Sequence, residues 1–283
     1  MDRGAGVVLA GGRSRRMGRP KAWLEWHGST LLRRVVDVVA RGTHGPVVVV
    51  RAPGQELPPL PAGTEVVEDA REGLGPLQGL AAGLAAVADR AEAAYVSSTD
   101  VPLLHPAFVS RVLAAVDDET DVVLPRVGDH NHPLAAAYRT ALLPRVERLL
   151  AEDRLRPAFL FEDCRVKRLD EEALLVDRLL RAADPALDSV LNLNEPADYD
   201  AARTRPAPEV TVQRFGALRR NGNGARGPVA VHAATLGEAA SASGVELDGH
   251  VVAALNGDQI SRDPELPLAA GDQVAFMAAD AGG

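Results

Sequence analysis

The chain has 283 residues, 46% of them hydrophobic and 25% charged, with a formal net charge of −8 and one cysteine, Cys164. At this length two domains are expected, with ample material for a core. The acidic balance disfavours general nucleic-acid binding, no apolar run is long enough to span a bilayer, and a lone cysteine excludes an intrachain disulfide framework or a multi-cysteine metal site. The opening MDRGAGVVLAGG lacks the pattern of a secretory leader, so a cytoplasmic protein is expected.

From residue 4 to about 200, short apolar runs alternate with longer amphipathic ones. GAGVVLA, PVVVVRA, AAYVSST, DVVLPRV and PLAAAYR predict strands; STLLRRVVDVVARG, GPLQGLAAGLAAVADRAEA and HPAFVSRVLAAVDD predict helices between them. This rhythm belongs to an α/β fold, a Rossmann-like sandwich with a mostly parallel sheet, in which ligands collect beyond the carboxyl ends of the strands. Residues 9–21, 69–79 and 97–102 are then expected around one crevice.

The first of these stretches, LAGGRSRRMGRPK, holds three glycines and five cations in thirteen positions. Glycines at a strand end let backbone N–H groups approach an anion, and arginine and lysine offer charge-assisted hydrogen bonds to phosphate. The spacing matches neither the P-loop nor the dinucleotide fingerprint. Arg13, Arg15 and Arg19 read as a solvated surface; Gly11, Gly12, Arg16 and Lys21 together read as a polyphosphate site.

Further along, Asp100 in STDVP follows a predicted strand, where a carboxylate suits a hard divalent cation, although a turn-capping role is the alternative for any single aspartate. His130 and His132 in DHNHP suggest no third metal ligand nearby and read as a turn or a substrate contact. Asn192 and Asn194 either touch a ligand or shape the turn into the last helix, and Cys164 reads as structural.

ARTRPAPEV, residues 202–210, breaks the rhythm with two prolines. We place a first domain at 1–203, a linker at 204–209 and a second domain at 210–283. There EVTVQRFGAL and DQVAFMAA predict strands, TLGEAASASG a short helix, and HVVAALNG a strand closed by an Asn-Gly turn, which makes a small α+β unit ending in Gly282-Gly283.

These motifs carry a resemblance. LAGGRSRRMGRPKAWLEWHGSTLL is similar to the N-terminal signature of the molybdenum cofactor guanylyltransferase group of nucleotidyltransferases, with Pro20 where an aspartate commonly precedes the lysine. VEDAREGLGPLQGL resembles the second loop of that family, STDVP its metal-binding strand end, NHPLAAAYR its substrate-side strand and LNLNEPADYD its closing segment. The resemblance implies magnesium-dependent transfer of GMP from GTP to molybdopterin with release of pyrophosphate. It implies Arg16 and Lys21 on the triphosphate, Asp100 as the magnesium ligand, and Leu9, Ala10, Gly11, Gly12, Asp69 and Asn194 around the nucleotide. Cofactor cytidylyltransferases share the same loops, so cytidylyl transfer stays open beside guanylyl transfer.

The last domain resembles the ubiquitin-like sulfur carriers that include the small subunit of molybdopterin synthase: VTVQRFGALRR matches their first strand, and LAAGDQVAFMAADAGG their last strand and tail. By that resemblance it has the β-grasp fold, and Gly282-Gly283 threads into an adenylating enzyme, receives sulfur as a thiocarboxylate and delivers it to the large subunit of molybdopterin synthase. The expectation is a fusion protein; the alternative is a sulfur carrier on a non-catalytic scaffold.

Overall fold

The computed structural model describes residues 2–11, 17–69, 75–219 and 227–278. The chain divides into two compact units, Met1–Leu24 with Thr30–Asp198, and Glu25–Ser29 with Tyr199–Gly283.

The first unit opens with β1 (Asp2–Leu9) and a single 3-10 turn over Lys21–Trp23. The hairpin of β2 (Glu25–Trp26) and β3 (Ser29–Thr30), whose residues 25–29 belong to the second unit, precedes helix α1 (Leu31–Thr43) in the chain. Thr30 caps α1 by accepting from Arg33 N, and His44 ends it in the left-handed conformation at φ 53°. Then come β4 (Val47–Arg51), β5 (Glu65–Glu68) and α2 (Pro76–Val87), whose start combines Gly75 at φ 77° with Pro76 in the first turn.

Strand β6 (Ala91–Ser98), helix α3 (Pro106–Leu113) and the strands β7 (Val122–Val127), β8 (His130–Asn131) and β9 (Ala135–Arg139) follow. Next are α4 (Leu143–Ala151), α5 (Pro157–Phe161), β10 (Val166–Leu169), α6 (Glu171–Leu175) and α7 (Arg178–Ala183), and α8 (Pro196–Arg203) begins at the unit's end.

The sheet has the order β10-β7-β9-β6-β1-β4-β5, with β8 paired to β7. The pairs β1–β4, β1–β6, β4–β5 and β7–β10 are parallel, whereas β9 runs antiparallel to both β6 and β7. Alternation along the strands sends side chains into two cores. Val8, Val49 and Tyr95 pack with Val35, Val39, Phe108 and Val112 of α1 and α3. Val7, Val48, Val50 and Val96 pack with Leu77, Leu80, Leu84 and Leu149 of α2 and α4. Each such fully buried side chain stabilises the sandwich by about 1.5–3 kcal/mol relative to exposure.

Close packing depends on small residues: a Cβ on Gly83 of α2 would lie 2.3 Å from Val7 Cγ1 of β1, and one on Gly42 of α1 would lie 2.4 Å from Val109 Cβ of α3. Because β1, β4, β5 and β6 run parallel, the segments after Leu9, Arg51, Glu68 and Ser98 emerge at one edge of the sheet.

The second unit has its own sheet and core. β11 (Glu209–Arg214), β12 (Val229–His232), helix α9 (Leu236–Ala242), β13 (Val251–Leu255), β14 (Gln259–Ser261) and β15 (Gln273–Ala278) follow in order. The sheet order is β12-β11-β15-β13-β14; β11 and β15 are parallel and the other pairs antiparallel. Val210, Val212, Leu236, Ala239, Leu255, Leu268, Val274 and Phe276 form its core. Asn256 and Gly257, at φ 52° and 88°, turn β13 into β14 as the Asn-Gly pair predicts.

Candidate active site

A cleft of about 830 Å³ opens at the carboxyl edge of the first sheet. Four chain segments meet there: Leu9, Ala10 and Gly11 after β1; Gly18–Lys21; Ala52–Gln55 after β4; and Ser98–Asp100 after β6, with Asp69, Gly75 and Gly79 closing another side.

Lys21 and Asp100 touch in this cleft. Lys21 Nζ lies 2.7 Å from Asp100 Oδ2, with side chains 19% and 15% exposed. Removal from water strengthens the attraction between the two groups and makes an unpaired charge costly. The second carboxylate oxygen, Asp100 Oδ1, is buried and lacks a hydrogen-bond partner, as does Ser98 Oγ two residues before it. A buried orphan oxygen on a carboxylate is the donor a hard divalent cation takes. Among the described residues no three His, Cys, Asp or Glu side chains cluster to hold a metal. Asp100 therefore fits a cation that draws its remaining ligands from water and substrate, as magnesium does.

The cleft floor is held by side chains from both flanking strands. Thr99 Oγ1 donates to Leu9 O at 3.0 Å, and Gln55 Nε2 donates to Ala10 O at 3.0 Å. Gly11 lies against the neighbouring strand end, where a Cβ would come within 3.0 Å of Ala52 N. Asp69 N donates to Arg51 O at 2.8 Å, which extends the β4–β5 ladder and sets Asp69 at the cleft wall.

Of the residues expected at the site, Leu9, Ala10, Gly11, Lys21, Asp69 and Asp100 line this cleft together. Gly12 and Arg16 lie outside the described residues, as do Gly282 and Gly283. Asn194 is exposed, and its N–H donates to Asp198 Oδ2 at 2.9 Å, an aspartate that also caps Glu195 N at the start of α8. It is not a lining residue of the cleft, but its neighbour Leu193 N donates to Asp100 O at 2.8 Å and ties residues 191–200 to the segment just past β6. His130 is exposed on β8, and burial together with His130 holds His132 below the usual imidazole range. Ser98 and Thr99 fall within the expected crevice segment 97–102 without a role of their own, and Gln55 lies outside every expected segment. The signal available for them was position alone: polar residues just past strands whose carboxyl ends face the crevice.

A strand-end glycine, a lysine and a carboxylate gathered over a parallel sheet define a nucleotidyltransferase-type cleft. The model of the MobA-like NTP transferase domain matches residues 6–169, and the chain belongs to that family of nucleotidyltransferases. It is 43% identical over 151 residues to the probable molybdenum cofactor guanylyltransferase of Mycobacterium avium strain 104, covering 52% of this chain and 75% of the relative. The protein of the same name from Mycobacterium tuberculosis H37Rv is 45% identical over 150 residues, covering 52% and 73%. In fold, the chain is similar to molybdopterin-guanine dinucleotide biosynthesis protein A of Archaeoglobus fulgidus, with a TM-score of 0.54 at 22% identity over 71% of this chain and 97% of that one. No helix among the described residues is long and apolar enough to cross a membrane.

Proposed function

We propose that the first domain, residues 1–203, transfers GMP from GTP to molybdopterin and releases pyrophosphate. The observation that carries this reading is the Lys21–Asp100 contact inside a cleft floored by Leu9–Gly11, in a chain whose relatives at 43–45% identity are named for that activity.

In the transfer, an oxygen of the acceptor's phosphate forms a bond to the α-phosphorus of GTP while the bond from that phosphorus to the pyrophosphate oxygen breaks. The chain's part is positioning and charge. Leu9, Ala10 and Gly11 hold the base and ribose, Asp69 the nucleotide at the cleft wall, and Lys21 and Arg16, with Gly12, the triphosphate oxygens. Asn194 is assigned to the nucleotide side through its place in the closing segment. Asp100 is the residue that would hold magnesium, which when bound supplies neutralisation of phosphate charge. Lys21 leaves Asp100 for the triphosphate as the nucleotide enters, and until then the ion pair holds the two side chains oriented toward each other in the cleft.

We infer for the second domain, residues 210–283 after a linker at 204–209, a β-grasp sulfur carrier. Its support is the topology: two central parallel strands, β11 and β15, flanked by antiparallel partners, with α9 connecting β12 to β13. Its carrier function rests on Gly282-Gly283, with an adenylating enzyme and the large subunit of molybdopterin synthase as partners.

Equilibrium binding of GTP, CTP, ATP and UTP with magnesium tests the first reading. Selective GTP binding that weakens in Lys21→Ala is the expected result; selective CTP binding would move the reading to cytidylyl transfer.

A further inference from the structure

The ladder between β1 and β4 runs in register up to Leu9 and Val50, and Ala10 N donates to Val50 O at 2.8 Å. In a parallel pair the next rung would run from Ala52 N to Ala10 O, since the bonds of a parallel ladder are evenly spaced and slanted. That rung is not made directly. Ala52 N donates instead to Gln55 Oε1 at 3.0 Å, and Gln55 Nε2 donates to Ala10 O at 3.0 Å. The side-chain amide is spliced into the rung, one end accepting and the other donating, so the two strand ends are held one amide apart.

The residue that carries this amide is itself fixed. Gln55 N donates to Ala52 O and Arg51 Nη1 to Gln55 O, both at 3.0 Å. Glu68 Oε1 takes Arg51 Nη2 at 2.9 Å and Gly54 N at 3.3 Å, and Trp23 Nε1 donates to Glu56 O at 3.2 Å. Gln55, Ala10, Gly11 and Ala52 all line the cleft.

We propose that Gln55 is a positioning residue for the nucleotide: its amide, inserted between Ala10 and Ala52, opens the ends of β1 and β4 and sets the Leu9–Gly11 backbone at the spacing a nucleoside triphosphate requires. Without the amide, Ala52 N and Ala10 O are free to close the rung directly. The floor then narrows with little loss of fold stability, because one hydrogen bond replaces two and no charge is left buried. Both hydrogen bonds of the amide go to backbone, so its effect falls on binding rather than on the chemical step.

Because this role presumes that the cleft holds a nucleoside triphosphate, the test measures binding of GTP, CTP, ATP and UTP to the full-length wild type and to Gln55→Met and Gln55→Ala. Thermal unfolding, KM and kcat are measured in parallel. Methionine keeps the length and loses both hydrogen bonds. In both variants triphosphate binding should weaken by about fivefold to tenfold, the scale of one or two hydrogen bonds, with a matching rise in KM, kcat within about twofold and a melting temperature lowered by no more than about 5 °C. Wild-type affinity and KM in Gln55→Met would overturn the proposal, as would a loss confined to kcat or a weakening that only tracks lost stability. Selective CTP binding weakened in Gln55→Met would support the positioning role while contradicting guanylyl transfer. A wild type that binds no triphosphate would overturn both.

Discussion

Lys21 Nζ and Asp100 Oδ2 lie 2.7 Å apart although 79 residues separate them in the chain. Lys21 stands in a 3-10 turn and Asp100 just past a central strand, so their contact is a product of the fold. In the proposed mechanism the two part company when substrate arrives, the lysine toward phosphate and the carboxylate toward the cation.

Removing Lys21 should therefore free Asp100. Lys21→Ala is expected to bind Mn²⁺, a spectroscopic stand-in for magnesium, more tightly than wild type when nucleotide is absent, and GTP more weakly. Titration followed by electron paramagnetic resonance checks the first, calorimetry the second. An unchanged Mn²⁺ affinity would show that the ion pair does not compete with the cation.

Gly42→Ala probes the packing of α1 against α3. A helix interior normally gains about 1 kcal/mol from this change. Here the new Cβ would meet Val109 Cβ at 2.4 Å and the Pro106 carbonyl oxygen at 2.9 Å, and a backbone atom yields little. Overpacking costs of about 1–3 kcal/mol should prevail, and urea unfolding should show net destabilisation.

Cys164 should be a slow thiol. Burial, the largest effect, and then the Asp121 charge push its pKa up from 9.0 to about 11. An acid with a raised folded-state pKa stays protonated longer in the native protein, so near pH 8 the native thiolate fraction is about a hundredfold below that of the unfolded chain. Iodoacetamide labelling at that pH should be slower in the native state by at least this factor and should accelerate as pH rises toward 11. The same shift makes the fold lose stability as pH rises from 9 to 11, where the unfolded thiol has already released its proton.

On the proposed carrier role, deleting Gly283 should abolish thiocarboxylate formation with an adenylating enzyme and leave GTP binding unchanged. Intact-mass analysis checks the first outcome; sulfur acceptance by the truncated chain would end the carrier assignment.

Much of the first sheet was legible because its central strands carry short apolar runs bounded by turn residues: VVVV in β4 and AAYV in β6. The edge strands β5 and β10, EVVE and VKRL, carry polar residues at sites open to solvent and show no such run. The expected helix over GPLQGLAAGLAAVADRAEA overran its end: α2 stops at Val87, and Ala91 already begins β6. Alanine serves helix and buried strand equally, so composition does not mark that boundary. At the site, Lys21 and Asp100 stood out by motif. Gln55 did not, because its importance lies in a rung missing from a ladder, and a pairing defect leaves no trace in one strand's sequence.

The central claim is guanylyl transfer at the Lys21–Asp100 cleft. Its most direct test is formation of the guanylylated cofactor from GTP, molybdopterin and magnesium by the wild type and by Asp100→Ala. The account predicts product with pyrophosphate release in the wild type and a loss of about a hundredfold or more in a variant that keeps its fold. Product from CTP in place of GTP, or undiminished turnover by Asp100→Ala, would contradict it.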